Sequence, residues 1–240
     1  MNKVKFAFLA AGLAFATALA QPNDSDEYDE NFNQKTSAQP SITSSINGSL
    51  GYYRVVLKDW NDYLGGVDFA VGGSSLILIT DIVQFGLLAS IGYYSVSADE
   101  DDVELAISSL YLGLKPKFRL GWEETYADIF LNIGIPLSNK ATIKVSGDET
   151  SNLDVENTEA NFAVGSFWRF KASGVGISKA LTGSSKNTTI LIAFFLPSAS
   201  IKDALQLDPK TRFEISPSIS YGTGKDGTNL NVSFGVEYTF

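Results

Sequence analysis

The sequence predicts an all-β protein, an antiparallel up-and-down barrel of about ten strands that crosses a membrane with those strands. Three observations carry the prediction: an apolar leader, a strictly alternating last strand, and no later segment that could form a membrane helix. Lipid cannot satisfy free backbone N–H and C=O groups. A chain that crosses a membrane without helices must therefore close its strands into a barrel.

Residues 1–20 have the features of a secretory signal peptide. Two lysines precede an uncharged apolar run, which ends in Ala18 and Ala20 separated by one residue, the small-x-small pattern that signal peptidase cuts. The run is too short to cross a bilayer comfortably. We therefore expect export and a mature chain that begins near Gln21.

Residues 21–43 form an acidic segment with little apolar surface, and we expect a disordered periplasmic leader rather than a folded unit. A partner-binding tail is the alternative. Residues 44–240 are expected to form the barrel. The chain contains no cysteine, so no disulfide, thiolate metal site or lipoprotein anchor is expected. The net charge of −9 argues against nucleic acid as a partner.

The last strand alternates without error. Apolar residues lie on one face and polar residues on the other, with the period of two that a strand with one apolar side requires. The apolar face consists of Leu230, Val232, Phe234, Val236, Tyr238 and Phe240.

Turn signals and alternation predict ten strands. They span residues 46–57, 65–73, 85–96, 104–120, 126–136, 160–170, 174–181, 188–196, 212–221 and 229–240. The connection 197–211 is long, and Ser200 and Asp203 predict the cap of a short helix in it. The alternative is that two strands merge here, which gives an eight-stranded barrel.

The connections predict the orientation of the barrel, since outer-membrane barrels carry long loops outside and tight turns inside. If the last strand runs towards the periplasm, five connections are extracellular: 58–64, 97–103, 137–159, 182–187 and 222–228. The connections 79–84, 121–125, 171–173 and 197–211 are then periplasmic.

The absence of histidine and cysteine argues against an enzyme. The usual general base and the usual activated nucleophiles are missing, and no pair of carboxylates is predicted on one lumen row. Zinc and cofactor sites are not expected. The acidic loops 99–102 and 148–159 offer oxygen ligands that could hold divalent ions against lipopolysaccharide phosphates, but a solvated acidic rim is the favoured interpretation.

The predicted lumen carries charge. On strand 104–120 the leucines at alternate positions face lipid, which turns Lys115, Lys117 and Arg119 inward. Alternation elsewhere adds Arg54, Arg169, Asp68, Asp128, Glu214 and Glu237. Opposite charges that pair across a narrow barrel would fill the lumen, and this is the favoured interpretation. The alternative is a basic row that selects anions in an open pore.

The last strand, the signal peptide and segments such as 105–115 and 127–137 resemble the small porin-like outer-membrane β-barrel proteins, the group that includes the OmpA-type transmembrane domain. The resemblance is one of pattern and covers residues 46–240. It implies a barrel surrounded by outer-membrane lipid and lipopolysaccharide. It also implies recognition by the barrel-assembly machinery, for which Phe240 and Tyr238 form the terminal signal.

Three functional hypotheses follow. The first is a non-enzymatic outer-membrane barrel with a mostly closed lumen and a structural or surface-interaction role. The second is a narrow porin for small solutes with Lys115, Lys117 and Arg119 in its pore. The third is a secreted soluble β-barrel or sandwich that binds a ligand, for which the apolar rows must form a core.

Overall fold

The computed structural model describes residues 42–58, 63–100, 103–122, 124–145, 151–153, 159–182, 186–197, 206, 211–225 and 227–240. The predicted signal peptide with Ala18 and Ala20, nearly all of the predicted leader, and the predicted helix at Ser200 lie outside these residues. So do the acidic loop side chains other than Glu159.

The described chain is built of strands. They are β1 Ile42–Leu57, β2 Tyr63–Thr80, β3 Val83–Glu100, β4 Val103–Trp122, β5 Thr125–Val145, β6 Ser151–Leu153, β7 Asn161–Phe170, β8 Ser173–Ala180, β9 Thr188–Phe194, β10 Leu196–Pro197, β11 Arg212–Gly224 and β12 Gly227–Thr239. No helix long and apolar enough to cross a membrane occurs among these residues.

Ten of the strands close a ring. Neighbours in sequence pair antiparallel, β12 returns to pair with β1, and β9 pairs with β11. The short β6 and β10 only extend the pairing at the edges of β5 and β11. All ten predicted strands are confirmed, and the eight-stranded alternative is wrong because the strands on both sides of the connection 197–211 keep separate places in the ring.

Alternation decides what each strand shows to the outside. The exposed apolar residues of β1 and β2 occur at every second position: Ile42, Ile46, Leu50, Tyr52, Val56, Val67, Phe69, Val71, Ile77 and Ile79. The last strand follows the same rule, since Val232, Phe234 and Val236 are exposed. The soluble alternative needed these rows to pack into a core, and instead they cover the outer surface.

The register fixes the tilt of the strands. A row of paired residues that leaves β5 at Thr142 passes through all the other strands of the ring and returns to β5 at Ile129, thirteen positions lower. One of these thirteen positions is the extra residue of a bulge at Leu137. A stagger of this size over ten strands corresponds to a tilt of about 40°, the usual value for a barrel.

The connections fall at two ends. One end, here named the turn end, carries the tight turns after β2, β4 and β7 together with Ile42 and Phe240. The opposite end, here named the loop end, carries the connections after β1, β3, β5, β8 and β11. Phe240 and Ser44 exchange backbone hydrogen bonds at 3.0 and 3.4 Å, which ties the chain end into the ring.

The predicted loop 137–159 is wrong in its first part, because β5 continues to Val145 and β6 pairs with it. The pairing shifts by one residue at Leu137, so that Leu110 pairs with Ser138 while Tyr111 pairs with Pro136. The inward-facing residues of β5 therefore have even numbers before the bulge and odd numbers after it. The change of phase conceals the continued alternation in the sequence.

A second strand is longer than predicted. The segment from Ser74 onwards contains small polar residues that resemble a turn, yet β2 runs to Thr80. Ser74 and Ser75 lie within hydrogen-bonding distance of Ser45 and Ser44 on β1, at 2.7 and 3.2 Å between hydroxyl oxygens. Cross-strand hydroxyl pairs of this kind stabilise a sheet.

Candidate functional site in the barrel lumen

The inner face of the barrel changes character from one end to the other. Close to the turn end it carries the charged side chains, here named the charged layer: Lys115, Lys117, Arg119, Glu124, Asp128, Arg169, Arg212, Glu214 and Glu237. The middle is mainly hydroxyl and amide, as in the pair Ser218 and Ser233, whose hydroxyl oxygens are 2.8 Å apart. Towards the loop end Leu64, Val96 and Ala98 form a buried apolar cluster.

Asp128 is the centre of one part of the charged layer. Arg119 lies opposite it in the register of β4 and β5 and donates from Nε and Nη2 to its two oxygens, at 2.7 and 2.9 Å. Lys117, two positions along β4 on the same face, places Nζ 3.4 Å from Oδ2. All three side chains are largely buried. The carboxylate therefore neutralises two cations in a place where an unpaired charge is costly.

A second ion pair crosses the lumen. The Arg169 guanidinium, on β7, makes two hydrogen bonds to the Glu214 carboxylate on β11, and one of them is 3.1 Å long. β8 and β9 separate these strands along the wall, so the bond spans the interior. Arg169 Nε also donates to the carbonyl of Lys171 in the turn at 2.9 Å. The two charged side chains are each 5% exposed.

Arg212 connects this ion pair to the turn between β4 and β5. Its Nη2 lies 3.2 Å from a carboxylate oxygen of Glu214 and 3.2 Å from one of Glu124, which belongs to the turn between β4 and β5. Glu214 is thereby shared by two arginines, as Asp128 is shared by Lys117 and Arg119. Each buried carboxylate of the layer balances two cations.

Aromatic rings join the two ion pairs. The Arg119 guanidinium carbon lies 3.5 Å from the centroid of the Tyr126 ring, and that of Arg169 lies 6.0 Å from the same ring. Arg169 also stacks on Phe195 at 3.9 Å, and Phe167 meets Phe195 edge-on. Because cation–π contacts hold a guanidinium by its face, the N–H edges stay directed at the carboxylates.

The remaining predicted lumen residues lie around this layer. Ser45 donates to Glu237 at 2.8 Å, and the Lys115 ammonium sits 3.9 Å over the ring of Phe130. Asp68 lies nearer to the loop end, where the Asn231 amide donates to it at 3.1 Å. The structure therefore brings Lys115, Lys117, Arg119, Asp128, Arg169, Glu214 and Glu237 to one level and places Asp68 apart.

The prediction that Arg54 lies in the lumen is wrong. Arg54 shares the outer face of β1 with the exposed Leu50, Tyr52 and Val56. Its guanidinium lies 3.9 Å from the ring centroid of Tyr63, which is exposed as well. The alternation of β1 already placed Arg54 with Tyr52, because both numbers are even, and this signal was missed.

Four members of the site were not predicted from the sequence. Tyr126 and Phe195 share the inward phase of Asp128 and Ala193, so alternation was a usable signal for both. Arg212, the first residue of β11, also shares the inward phase of Glu214, whereas Glu124 lies in a turn, where alternation gives no direction. No group of three or more carboxylate, histidine or cysteine ligands suited to a metal ion occurs among the described residues.

Comparison with known proteins yields matches in fold and not in sequence. No protein-family model and no curated protein matches the chain. Among solved structures, the transport unit of the autotransporter AIDA-I from Escherichia coli has 12% identity and a TM-score of 0.46, covering 95% of this chain and 98% of that one. Ail, the attachment invasion locus protein of Yersinia pestis, has 12% identity and a TM-score of 0.39, with 83% and 99% covered. Neisserial surface protein A has 10% identity and a TM-score of 0.37, with 81% and 95% covered.

The architecture follows from this chain's own register and surface. Ten strands close without a free edge, the outer face is a continuous apolar belt, and the interior is polar and charge-paired. A soluble protein does not expose apolar area on this scale. An antiparallel barrel that presents apolar residues outside and polar residues inside is suited to lipid. The chain is a closed ten-stranded antiparallel β-barrel whose apolar outer surface and polar interior suit a lipid bilayer.

Proposed function

We propose that this protein is a non-enzymatic barrel of the bacterial outer membrane whose lumen is closed by the charged layer and whose activity lies at the loop end. The observation that carries the proposal is the double use of Asp128 and Glu214. Each contacts two cations at 3.4 Å or less, and the Arg169–Glu214 pair, whose side chains are each 5% exposed, crosses the lumen. A barrel of this width leaves little room beyond its side chains.

The test is the conductance of the refolded chain in a planar lipid bilayer. Wild type is expected to insert without steady channel steps, and to migrate anomalously in unheated gel samples as folded barrels do. Glu104→Gln is the control variant and is expected to behave as wild type does. Glu104 and Lys144 form an exposed pair at the loop end, away from the charged layer. Steady steps in wild type would contradict the closed lumen, and failure to insert would contradict the membrane location.

A narrow anion-selective pore is the second candidate, and two observations favour it. Lys115 has no carboxylate partner among the salt bridges of the described residues. Asn132 faces inward between Phe130 and Gly134 and is nevertheless exposed. If wild type conducts and the Lys115/Lys117/Arg119 triple alanine variant loses anion preference, those three residues line a pore.

Export through the predicted signal peptide completes the proposal. Cleavage after Ala20 is expected because of the small residues at Ala18 and Ala20. Intact mass measurement of protein from the outer-membrane fraction is expected to give a chain that begins at Gln21. Protein that keeps residues 1–20, or remains in the cytoplasm, would contradict this route. The loop end is proposed to be extracellular, and protease cleavage of surface loops in intact cells tests that side.

A further inference from the structure

Arg54 is a cation on the outer, apolar face of the barrel. Its neighbours on that face of β1 are Leu50, Tyr52 and Val56, which are 61%, 50% and 39% exposed. Among the described residues no carboxylate forms a salt bridge with it, and its guanidinium carbon lies 3.9 Å from the ring centroid of Tyr63. A charge placed on a lipid-facing surface is costly unless it reaches the interface or an anion.

Two tyrosine side chains cover the glycine beside this arginine. Arg54 pairs in register with Gly65 of β2, and a Cβ atom at Gly65 would come within 2.7 Å of the Tyr52 hydroxyl and 3.3 Å of the Tyr63 ring. The two tyrosines therefore converge over a residue without a side chain. The guanidinium stacks on one of them, and the hydroxyl of the other lies over the same glycine.

The register places Arg54 and the two tyrosines at the edge of the apolar belt. The row of paired residues through Arg54 contains Leu230 and Tyr221 in one direction and Gly65 in the other. Towards the turn end the same face is apolar. Towards the loop end β1 stops three residues later, at Leu57. Tyrosine and arginine at such a boundary are typical of the headgroup region of a bilayer.

We propose that Arg54, Tyr52, Tyr63 and Gly65 form a binding site for the phosphate of an anionic membrane lipid in the leaflet around the loop end. The inference rests on the proposed membrane location. Stacking occupies the face of the guanidinium and leaves its N–H edges in a plane that suits two phosphate oxygens. The Tyr52 hydroxyl adds a donor, and Gly65 has no Cβ atom that would push the two tyrosines away from the arginine. The apolar belt below receives the acyl chains.

The experiment is native mass spectrometry of the folded full chain in detergent, titrated with phosphatidylglycerol and, separately, with phosphatidylcholine. Wild type is expected to retain phosphatidylglycerol preferentially. Arg54→Gln is expected to weaken that binding about tenfold, the loss for one charge-assisted contact to phosphate. Gly65→Val keeps the charge but displaces the Tyr52 hydroxyl and the Tyr63 ring, and it is expected to weaken binding as well. Lys225→Gln, in the exposed turn between β11 and β12, is the charge-matched control and is expected to bind as wild type does.

Besides a lack of lipid preference, two outcomes overturn the proposal. In one, Arg54→Gln binds phosphatidylglycerol as tightly as wild type. In the other, millimolar inorganic phosphate displaces the lipid completely, which would make the site one for free phosphate. Insertion of wild type into vesicles is measured in parallel. A barrel that inserts without lipid preference contradicts this inference alone, whereas a chain that does not insert contradicts the proposed function.

Discussion

Asp128 is the residue on which two lumen cations depend. Lys117 and Arg119 project from the same face of β4 because they are two positions apart, and β5 supplies one carboxylate between them. Two like charges so close together repel each other unless an anion lies between them. The arrangement is therefore strongly sensitive to the loss of that single carboxylate, and less sensitive to the loss of either cation.

Asp128→Asn is expected to destabilise the barrel by about 3 kcal/mol, because it leaves two buried cations without a counter-charge. Urea titration of the refolded protein in vesicles measures the change. Glu104→Gln breaks an exposed pair and is expected to stay within about 1 kcal/mol of wild type. A variant with Asp128→Leu, Lys117→Met and Arg119→Met together is expected to recover most of the stability. Equal stability of Asp128→Asn and wild type would show that the layer is not held by this carboxylate.

The last strand, β12, illustrates what one element does in this fold. It pairs with β11 on one side and with β1 on the other, and so joins the two ends of the chain. The ring of Phe240 is 44% exposed and meets Tyr238 at 5.9 Å between centroids, so it contributes little to the interior. Its backbone, by contrast, exchanges two hydrogen bonds with Ser44. At this position the backbone therefore helps to close the ring, whereas the side chain lies on the outer surface.

Phe240→Ala is expected to leave refolding in detergent unchanged, because the backbone pairing with Ser44 does not need the ring. In cells the same variant is expected to reach the outer membrane several-fold less, if the terminal aromatic is the assembly signal that the resemblance implies. Phe234→Ala is the control, since it removes an exposed ring from the same face of β12. Equal amounts of Phe240→Ala and wild type in the membrane fraction would remove Phe240 from that role.

At the scale of the whole molecule, the outer surface defines where the bilayer lies. Phe234 pairs with Leu50 and Pro217 in the middle of the apolar belt, and it is 61% exposed. Thr228 lies on the same face of β12, close to the loop end and opposite Val56. The natural Arg54 stands next to that level. The free-energy cost of a charge on this surface is therefore expected to fall steeply with its distance from the middle of the belt.

Phe234→Arg is expected to cost about 2–4 kcal/mol in folding free energy, the range for arginine at the bilayer midplane. Thr228→Arg, on the same strand and face, is expected to cost about 0–1 kcal/mol, since its side chain reaches the interface. Unfolding titrations in vesicles of matched thickness measure both. Similar costs at the two positions would mean that the belt is not centred on Phe234.

Local pattern by itself determined the class of protein and the positions of its strands. Period-two alternation is a property of neighbouring residues, so the apolar face of β12 and the inward direction of Lys117, Arg119, Asp128 and Glu214 were accessible without the structure. The same rule, applied consistently, would have placed Arg54 outside. It failed at Leu137, where a bulge changes the phase of β5, because an extra residue is defined only by the partner strand.

Only the tertiary structure decided which charges meet. Arg169 and Glu214 are far apart in the chain, and two strands lie between them in the wall, so their contact depends on the closed ring and on the stagger of its strands. Tyr126 and Phe195 join the ion pairs for the same reason. The pair of tyrosines over Gly65 likewise needs the register of β1 against β2. Sequence fixes the direction of each side chain locally, whereas closure and stagger determine its partner across the lumen.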